Sequence, residues 1–214
     1  AMIAAVASIA VVYPHMNGIG GDSFWLLSLT GSSGPQVVGV EGCGRSANSL
    51  TKSAYAGLAM IPFRGAAAAI TMAGTVSAWE RALLIARERL GARIPLTRLL
   101  ADAVTYARDG MPVTVSQERC SLAKRRELQA VPGFAETFMP HGVVPPAGAR
   151  FQQPRLATTL EQMARAGLAD FYSGDLAQSM ARDLGRLGSP LQQDDFTAHE
   201  AITRVPLMLQ HSLG

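Results

Sequence analysis

The hexapeptide Glu41-Gly42-Cys43-Gly44-Arg45-Ser46 holds the residue types best suited to chemistry in this chain. It follows directly on an apolar run that reads as a strand. Loops held by a rigid scaffold are where binding side chains concentrate. Small residues at 42 and 44 give the Arg45 guanidinium room to approach a ligand. A guanidinium can grip a carboxylate through two parallel charge-assisted bonds. The same residues also read as a plain turn carrying a surface arginine, and both readings stay open here. Cys43 could act as a nucleophile only with a base beside it. No neighbouring histidine supplies one, so a buried structural thiol is expected.

The remaining polar motifs are weaker. Gly18-Ile19-Gly20-Gly21-Asp22 invites a nucleotide reading, but a dinucleotide fingerprint needs strand, glycines, helix, in that order. Here the order is helix, glycines, strand, and position 23 is Ser. Two Ser-x-x-Lys quartets, Ser49 to Lys52 and Ser121 to Lys124, lack the partner motifs of penicillin-binding folds. His15, His141, His199 and His211 are isolated, without metal-ligand spacing, and read as surface or capping residues. No metal site and no cofactor is expected. Cys43 and Cys120 are too few for a disulfide framework, and no C-x-x-C is present.

Composition narrows the partners. With 48% apolar and 16% charged residues, the 214-residue chain can build a true core. A formal charge of +3 is spread thinly. Its one cluster, Lys124-Arg125-Arg126 with Arg119, reads as the solvated face of a helix rather than a nucleic-acid patch. The longest apolar run, Ala1 to Tyr13, is interrupted by Ser8 and falls short of the roughly 18 residues of a membrane span. It has no basic leader and no clear cleavage site, so a secretory signal is disfavoured. It opens without a helix cap, which suggests a segment of a longer protein. The compartment, periplasmic or cytoplasmic, stays open.

These side chains need elements to position them. Residues 1 to 13 read as a buried helix, followed by a glycine turn at 14–23. Phe24 to Thr30 and Gln36 to Glu41 read as an antiparallel pair joined through Gly31-Ser32-Ser33-Gly34-Pro35. After residue 77 the pattern turns helical. Ser77 and Glu80 are spaced as a capping box for a helix over 78–90 that Gly91 closes. Thr97 is placed to cap a helix ending at Asp109-Gly110, with Leu99, Leu100, Ala103, Val104 and Ala107 as its apolar stripe. Ser116 is placed to cap a third helix, reaching about Ala130. Pro154 suits the first turn of a fourth, with Leu160 and Met163 inward and Gly167 as its stop. Asp175 precedes a helix to Leu184, a short helix begins near Asp194-Asp195, and residues 201 to 209 read as a strand. Strands first and helices after argue an α+β or layered α/β fold.

The order of motifs resembles the gamma-glutamyltranspeptidase family. Pro14-His15-Met16-Asn17-Gly18-Ile19-Gly20-Gly21-Asp22-Ser23-Phe24 is similar to that family's glycine-rich loop, and Ala4-Ala5-Val6-Ala7 to the helix before it. Gly74-Thr75-Val76-Ser77-Ala78-Trp79, Ala107-Arg108-Asp109-Gly110, Asp170-Phe171-Tyr172-Ser173-Gly174 and Asp194-Asp195-Phe196-Thr197 resemble further signatures in the same order.

The resemblance implies the layered αββα fold of N-terminal-nucleophile hydrolases, with residues 1–214 as part of the large subunit of a single such domain. It implies a precursor that cleaves itself and a small subunit that begins with the threonine nucleophile. The terminal amine of that threonine acts as its own base. No catalytic residue is then expected within this chain, and Arg45 is its candidate substrate-binding residue. The implied partners are the small subunit and a small acyl-amide substrate, gamma-glutamyl or related, such as glutathione. One departure stands out. The arginine that grips the alpha-carboxylate in gamma-glutamyl-specific members aligns with Cys43, and Gly42-Cys43-Gly44-Arg45 is closer to the Gly-Ser-Gly-Arg of acylase-like relatives. An acylase-like enzyme without gamma-glutamyl specificity, or a non-catalytic scaffold, are the alternatives.

Overall fold

The computed structural model describes residues 1–31 and 34–209. Ser32 and Ser33, read from sequence as part of a turn, and His211 lie outside the described residues. Helix α1 (Met2–Val12) leads through the glycine loop into strands β1 (Ser23–Gly31) and β2 (Gly34–Gly42). A long loop with two short 3-10 turns, Lys52–Tyr55 and Ala66–Ala68, reaches α2 (Thr75–Leu90) and then α3 (Leu96–Asp109). Next come β3 (Met111–Pro112), α4 (Val115–Leu128), α5 (Phe134–Phe138) and, past a 3-10 turn at Pro140–Gly142, β4 (Arg150–Phe151). The chain continues with α6 (Pro154–Ala166), α7 (Asp170–Ser173), α8 (Asp175–Arg186), α9 (Gln193–Thr197) and β5 (Ile202–Arg204).

The sheet is antiparallel, in the order β1-β2-β5, with Trp25 opposite Val40 and Val40 opposite Thr203. Side chains alternate faces along a strand. Trp25, Leu29, Val38 and Val40 turn inward and pack with Val76, Trp79 and Leu83 of α2. The opposite face carries Phe24, Leu26 and Val37, which stay exposed among the described residues. Helix α3 buries Leu99, Leu100, Ala103 and Ala107 as its spacing predicts, with α1 and α6 packed against it. Leu160 and Met163 of α6 are fully buried in the same core. Burial of a Leu or Met side chain contributes roughly 1.5–3 kcal/mol. A small separate cluster, Met111, Val113 and Phe151, forms around the β3–β4 pair.

Three helix starts differ from the sequence reading. Helix α2 begins at Thr75, so Ser77 lies inside it and forms no capping box. The carbonyl of Gly21 accepts from the Gly74 and Thr75 amides, each at 2.9 Å, and from Thr75 Oγ1 at 2.8 Å. The Ser77 amide donates to the Tyr172 hydroxyl at 2.9 Å, while Ser77 Oγ accepts from the Ala201 amide at 2.7 Å. Tertiary partners therefore do the work of a cap. Thr97 sits within α3, which starts after Pro95 with no side-chain cap. Thr114, not Ser116, caps α4, accepting from the Gln117 amide at 3.1 Å. The last strand is also shorter than 201–209, because pairing with β2 covers only Ile202–Arg204. Asp175 is the first residue of α8, and the amides of that helix's first turn are met by Asp170.

Candidate functional site

The turn that carries Arg45 leaves β2 and is held by backbone contact and two carboxylates. Gly42, Gly44 and Gly74 are small out of necessity. A Cβ on Gly44 would lie 1.6 Å from the Met72 carbonyl oxygen, and one on Gly74 would lie 2.2 Å from the Gly42 oxygen. The end of β2 and the start of α2 thus meet backbone to backbone. Asp22, from the glycine loop, accepts from the Gly44 amide through Oδ1 at 2.9 Å. Asp195, from α9, accepts from the Asn48 amide through Oδ1 and from the Gln192 amide through Oδ2, both at 2.8 Å. Between these anchors the Met72 amide donates to the Arg45 carbonyl at 2.9 Å, and the Ala47 amide to Ile70. Residues 22, 44–48, 70–72 and 195 are brought together from four parts of the chain.

Arg45 itself is exposed, with no ion pair among the described residues. Beside it lies a cleft of about 50 Å³ lined by Arg45, Ser46, Asn48, Met72, Asp195, Ala198 and His199. That volume has room for a few waters, or a carboxylate and the atoms next to it. Asp195 has both oxygens engaged by backbone amides. The imidazole of His199 packs on the Tyr172 ring at a centroid distance of 5.3 Å. Its Nε2 is buried without a hydrogen-bond partner among the described residues. Burial, and secondarily the Arg45 charge, lower the His199 pKa below the usual imidazole range, with Asp22 opposing. His199 is therefore a half-buried lining residue, not the surface or capping histidine expected from sequence.

Cys43 also departs from expectation. It is exposed rather than buried, and its thiol points at Asp22 Oδ2 at 3.6 Å. The Asp22 charge pushes the thiol pKa up, with smaller contributions from desolvation, the hydrogen bond and Glu41. A thiol held protonated beside a carboxylate is a poor nucleophile. Elsewhere, His15 Nε2 lies 3.1 Å from Ser116 Oγ, which in turn bonds Thr114 Oγ1 at 3.0 Å. His15 Nδ1 is buried without a partner among the described residues, so no carboxylate orients this ring as a base. The pair ties the glycine loop to the start of α4. His141 is exposed, and Lys124, Arg125 and Arg126 lie on an exposed face of α4.

Asp22 and Asp195 are the residues that sequence reasoning did not connect to Arg45. Both lay inside motifs already noted, but nothing local reveals that each spends a carboxylate on the same turn. Of the six motifs, several are structural: the Tyr172 hydroxyl joins α7 to α2 by accepting from the Ser77 amide, and donates to the Ala73 carbonyl just before α2 at 2.7 Å. Asp170 caps α8, and Gly110 adopts a positive φ of 93° where α3 meets β3.

The family model described as gamma-glutamyltranspeptidase matches residues 1–212. The chain belongs to the gamma-glutamyltranspeptidase family. Over 214 residues it is 48% identical to an oxamate amidohydrolase proenzyme of Klebsiella pneumoniae, covering 100% of this chain and 40% of that protein. It is 39% identical to the glutathione hydrolase-like YwrD proenzyme of Bacillus subtilis, covering 97% of this chain and 38% of that one. It superposes on the gamma-glutamyltranspeptidase from Pseudomonas nitroreducens with a TM-score of 0.84 at 27% identity, over 99% of this chain and 60% of the other. For the cephalosporin acylase from Bacillus halodurans the TM-score is 0.85 at 27% identity, over 98% of this chain and 39% of the other. The layered fold of N-terminal-nucleophile hydrolases implied by the sequence is thereby shown, and the chain spans about two fifths of these curated relatives.

Proposed function

We propose that this chain is the large-subunit part of an amide hydrolase or acyltransferase whose threonine nucleophile stands on a small subunit cut from the same precursor. Arg45 binds the carboxylate of the acyl group. The supporting observation is the Arg45 turn, fixed from both ends by Asp22 and Asp195 while its guanidinium has no ion pair among the described residues. These anchors fix the backbone that carries Arg45, and with it the region its guanidinium can reach. Similarity to the oxamate amidohydrolase favours a short acyl group over a gamma-glutamyl one, in keeping with Cys43 at the position aligned with the family's carboxylate-gripping arginine. The similarity to YwrD keeps gamma-glutamyl amides such as glutathione as the second reading.

The test is expression of the full-length precursor. Under this reading it cleaves itself into two chains, and the product releases ammonia from oxamate faster than it releases p-nitroaniline from gamma-glutamyl-p-nitroanilide. A precursor that stays intact and inert toward both would leave a non-catalytic scaffold. Preference for the gamma-glutamyl substrate would select the second reading.

A further inference from the structure

We propose that the cleft beneath Arg45 seats the substrate's carboxylate, and that His199 is the residue that restricts this seat to short acyl groups. The proposal rests on the amide-hydrolase reading above and names a substrate class for the same site. Three features carry it. The cleft is compact, about 50 Å³, which matches a carboxylate and the atoms next to it. Its lining offers a guanidinium, a hydroxyl at Ser46 and a carboxamide at Asn48, while its one carboxylate, Asp195, is engaged by two backbone amides. Finally, the His199 ring forms part of one wall, packed on Tyr172, with its Nε2 buried and without a hydrogen-bond partner among the described residues.

The charged and titratable groups around His199 are Arg45 from the β2–α2 loop, Asp22 from the glycine loop, Asp195 from α9, Tyr172 from α7 and the adjacent Glu200. Burial and Arg45 keep the ring neutral at pH 7 in the empty site. An anion in the cleft favours the imidazolium. Binding therefore takes up a proton, and affinity is highest at acidic pH and weakens as pH rises through the ring's pKa. His199 is thus a specificity residue that reads the charge and size of the acyl end, and it takes no part in bond breaking.

The experiment is calorimetric titration of the processed full-length enzyme with oxalate and with L-glutamate, between pH 5.5 and 8, in buffers of different ionisation enthalpy. Wild type is expected to bind oxalate about tenfold tighter than glutamate, with proton uptake and with weaker binding at higher pH. His199→Gln should lose the proton uptake and most of the tenfold preference, while its melting temperature at pH 8 reports that it is folded. His199→Asn serves if the glutamine variant does not fold. Arg45→Ala should weaken both ligands. Wild type that binds oxalate without proton uptake, or a folded His199→Gln that keeps preference and uptake, overturns the proposal. So does absence of oxalate binding in an enzyme that hydrolyses amides, which leaves the hydrolase reading intact. Oxalate binding with uptake by a protein that hydrolyses no amide would support the seat and remove the hydrolase reading.

Discussion

Under the proposed reading, replacing Arg45 by Ala removes a cation that lines the cleft and meets the substrate's carboxylate. A charge-assisted bidentate pair contributes roughly 1.5–3 kcal/mol. The expected loss is therefore about ten- to a hundredfold in kcat/KM for carboxylate-bearing amides, with neutral acyl amides unchanged. Arg45→Lys should recover only part, because an ammonium cannot fork across both oxygens. Gly44→Ala tests the platform instead of the cation. A methyl there would lie 1.6 Å from the Met72 carbonyl, so the backbone must move. Overpacking of this kind costs about 1–3 kcal/mol, and a lowered melting temperature with a raised KM is expected. The histidines give a pH prediction. His15 and His199 both have lowered pKa values through burial, so the unfolded chain binds more protons than the folded one below about pH 6.5. Their stabilising contribution is present above that pH and is lost as pH falls through the folded values. Urea midpoints should drop between pH 7 and 5, and less steeply in His15→Gln and His199→Gln. The place of Arg45 just past the end of β2 was legible in the sequence, because the apolar run and the glycines after it are adjacent. Asp195 was not, since the Asn48 amide it holds lies 147 positions away.

At the level of elements, amphipathic spacing located the long helices and turn chemistry located the hairpin. Those signals are local and survive folding. The α3 stripe and the closure of α2 by Gly91, at a φ of 61°, show the reading at its best. Caps were less legible, because a buried helix start can take its acceptors from anywhere. Ser77 has the right spacing for a cap, yet a carbonyl 53 positions before Gly74 and a hydroxyl on α7 are already there. Mutation should separate the true caps from the apparent ones. Thr114→Ala is expected to cost about 1 kcal/mol in equilibrium unfolding of the full-length protein. Thr97→Ala should stay within about 0.5 kcal/mol. Tyr172→Phe removes the hydroxyl that serves both the Ser77 amide and the Ala73 carbonyl. Two polar groups are then left without a partner, and a loss of about 1–3 kcal/mol is expected.

For the molecule as a whole, the purified 214-residue segment should release no p-nitroaniline from gamma-glutamyl-p-nitroanilide and no ammonia from oxamate. Its exposed thiol is held protonated, and its Ser–His contact has no orienting acid among the described residues. Turnover by the segment would show that a nucleophile lies within it. The outward face of the sheet, with Phe24 at 70% and Leu26 at 69% exposure, bears on how such a protein is made. Apolar side chains side by side on a strand of an open sheet are an invitation to aggregation. If, under the proposed reading, the small-subunit half covers this face, two separately translated halves would have to meet by diffusion at the low concentrations of a cell while that surface stayed wet. Tethering them in one polypeptide raises the local concentration of each half around the other to the order of millimolar. Under the proposed reading, the late cut of the precursor is then a matter of timing: the ribosome delivers both halves as one molecule, burial happens first, and the scissors come only after the surface is safe.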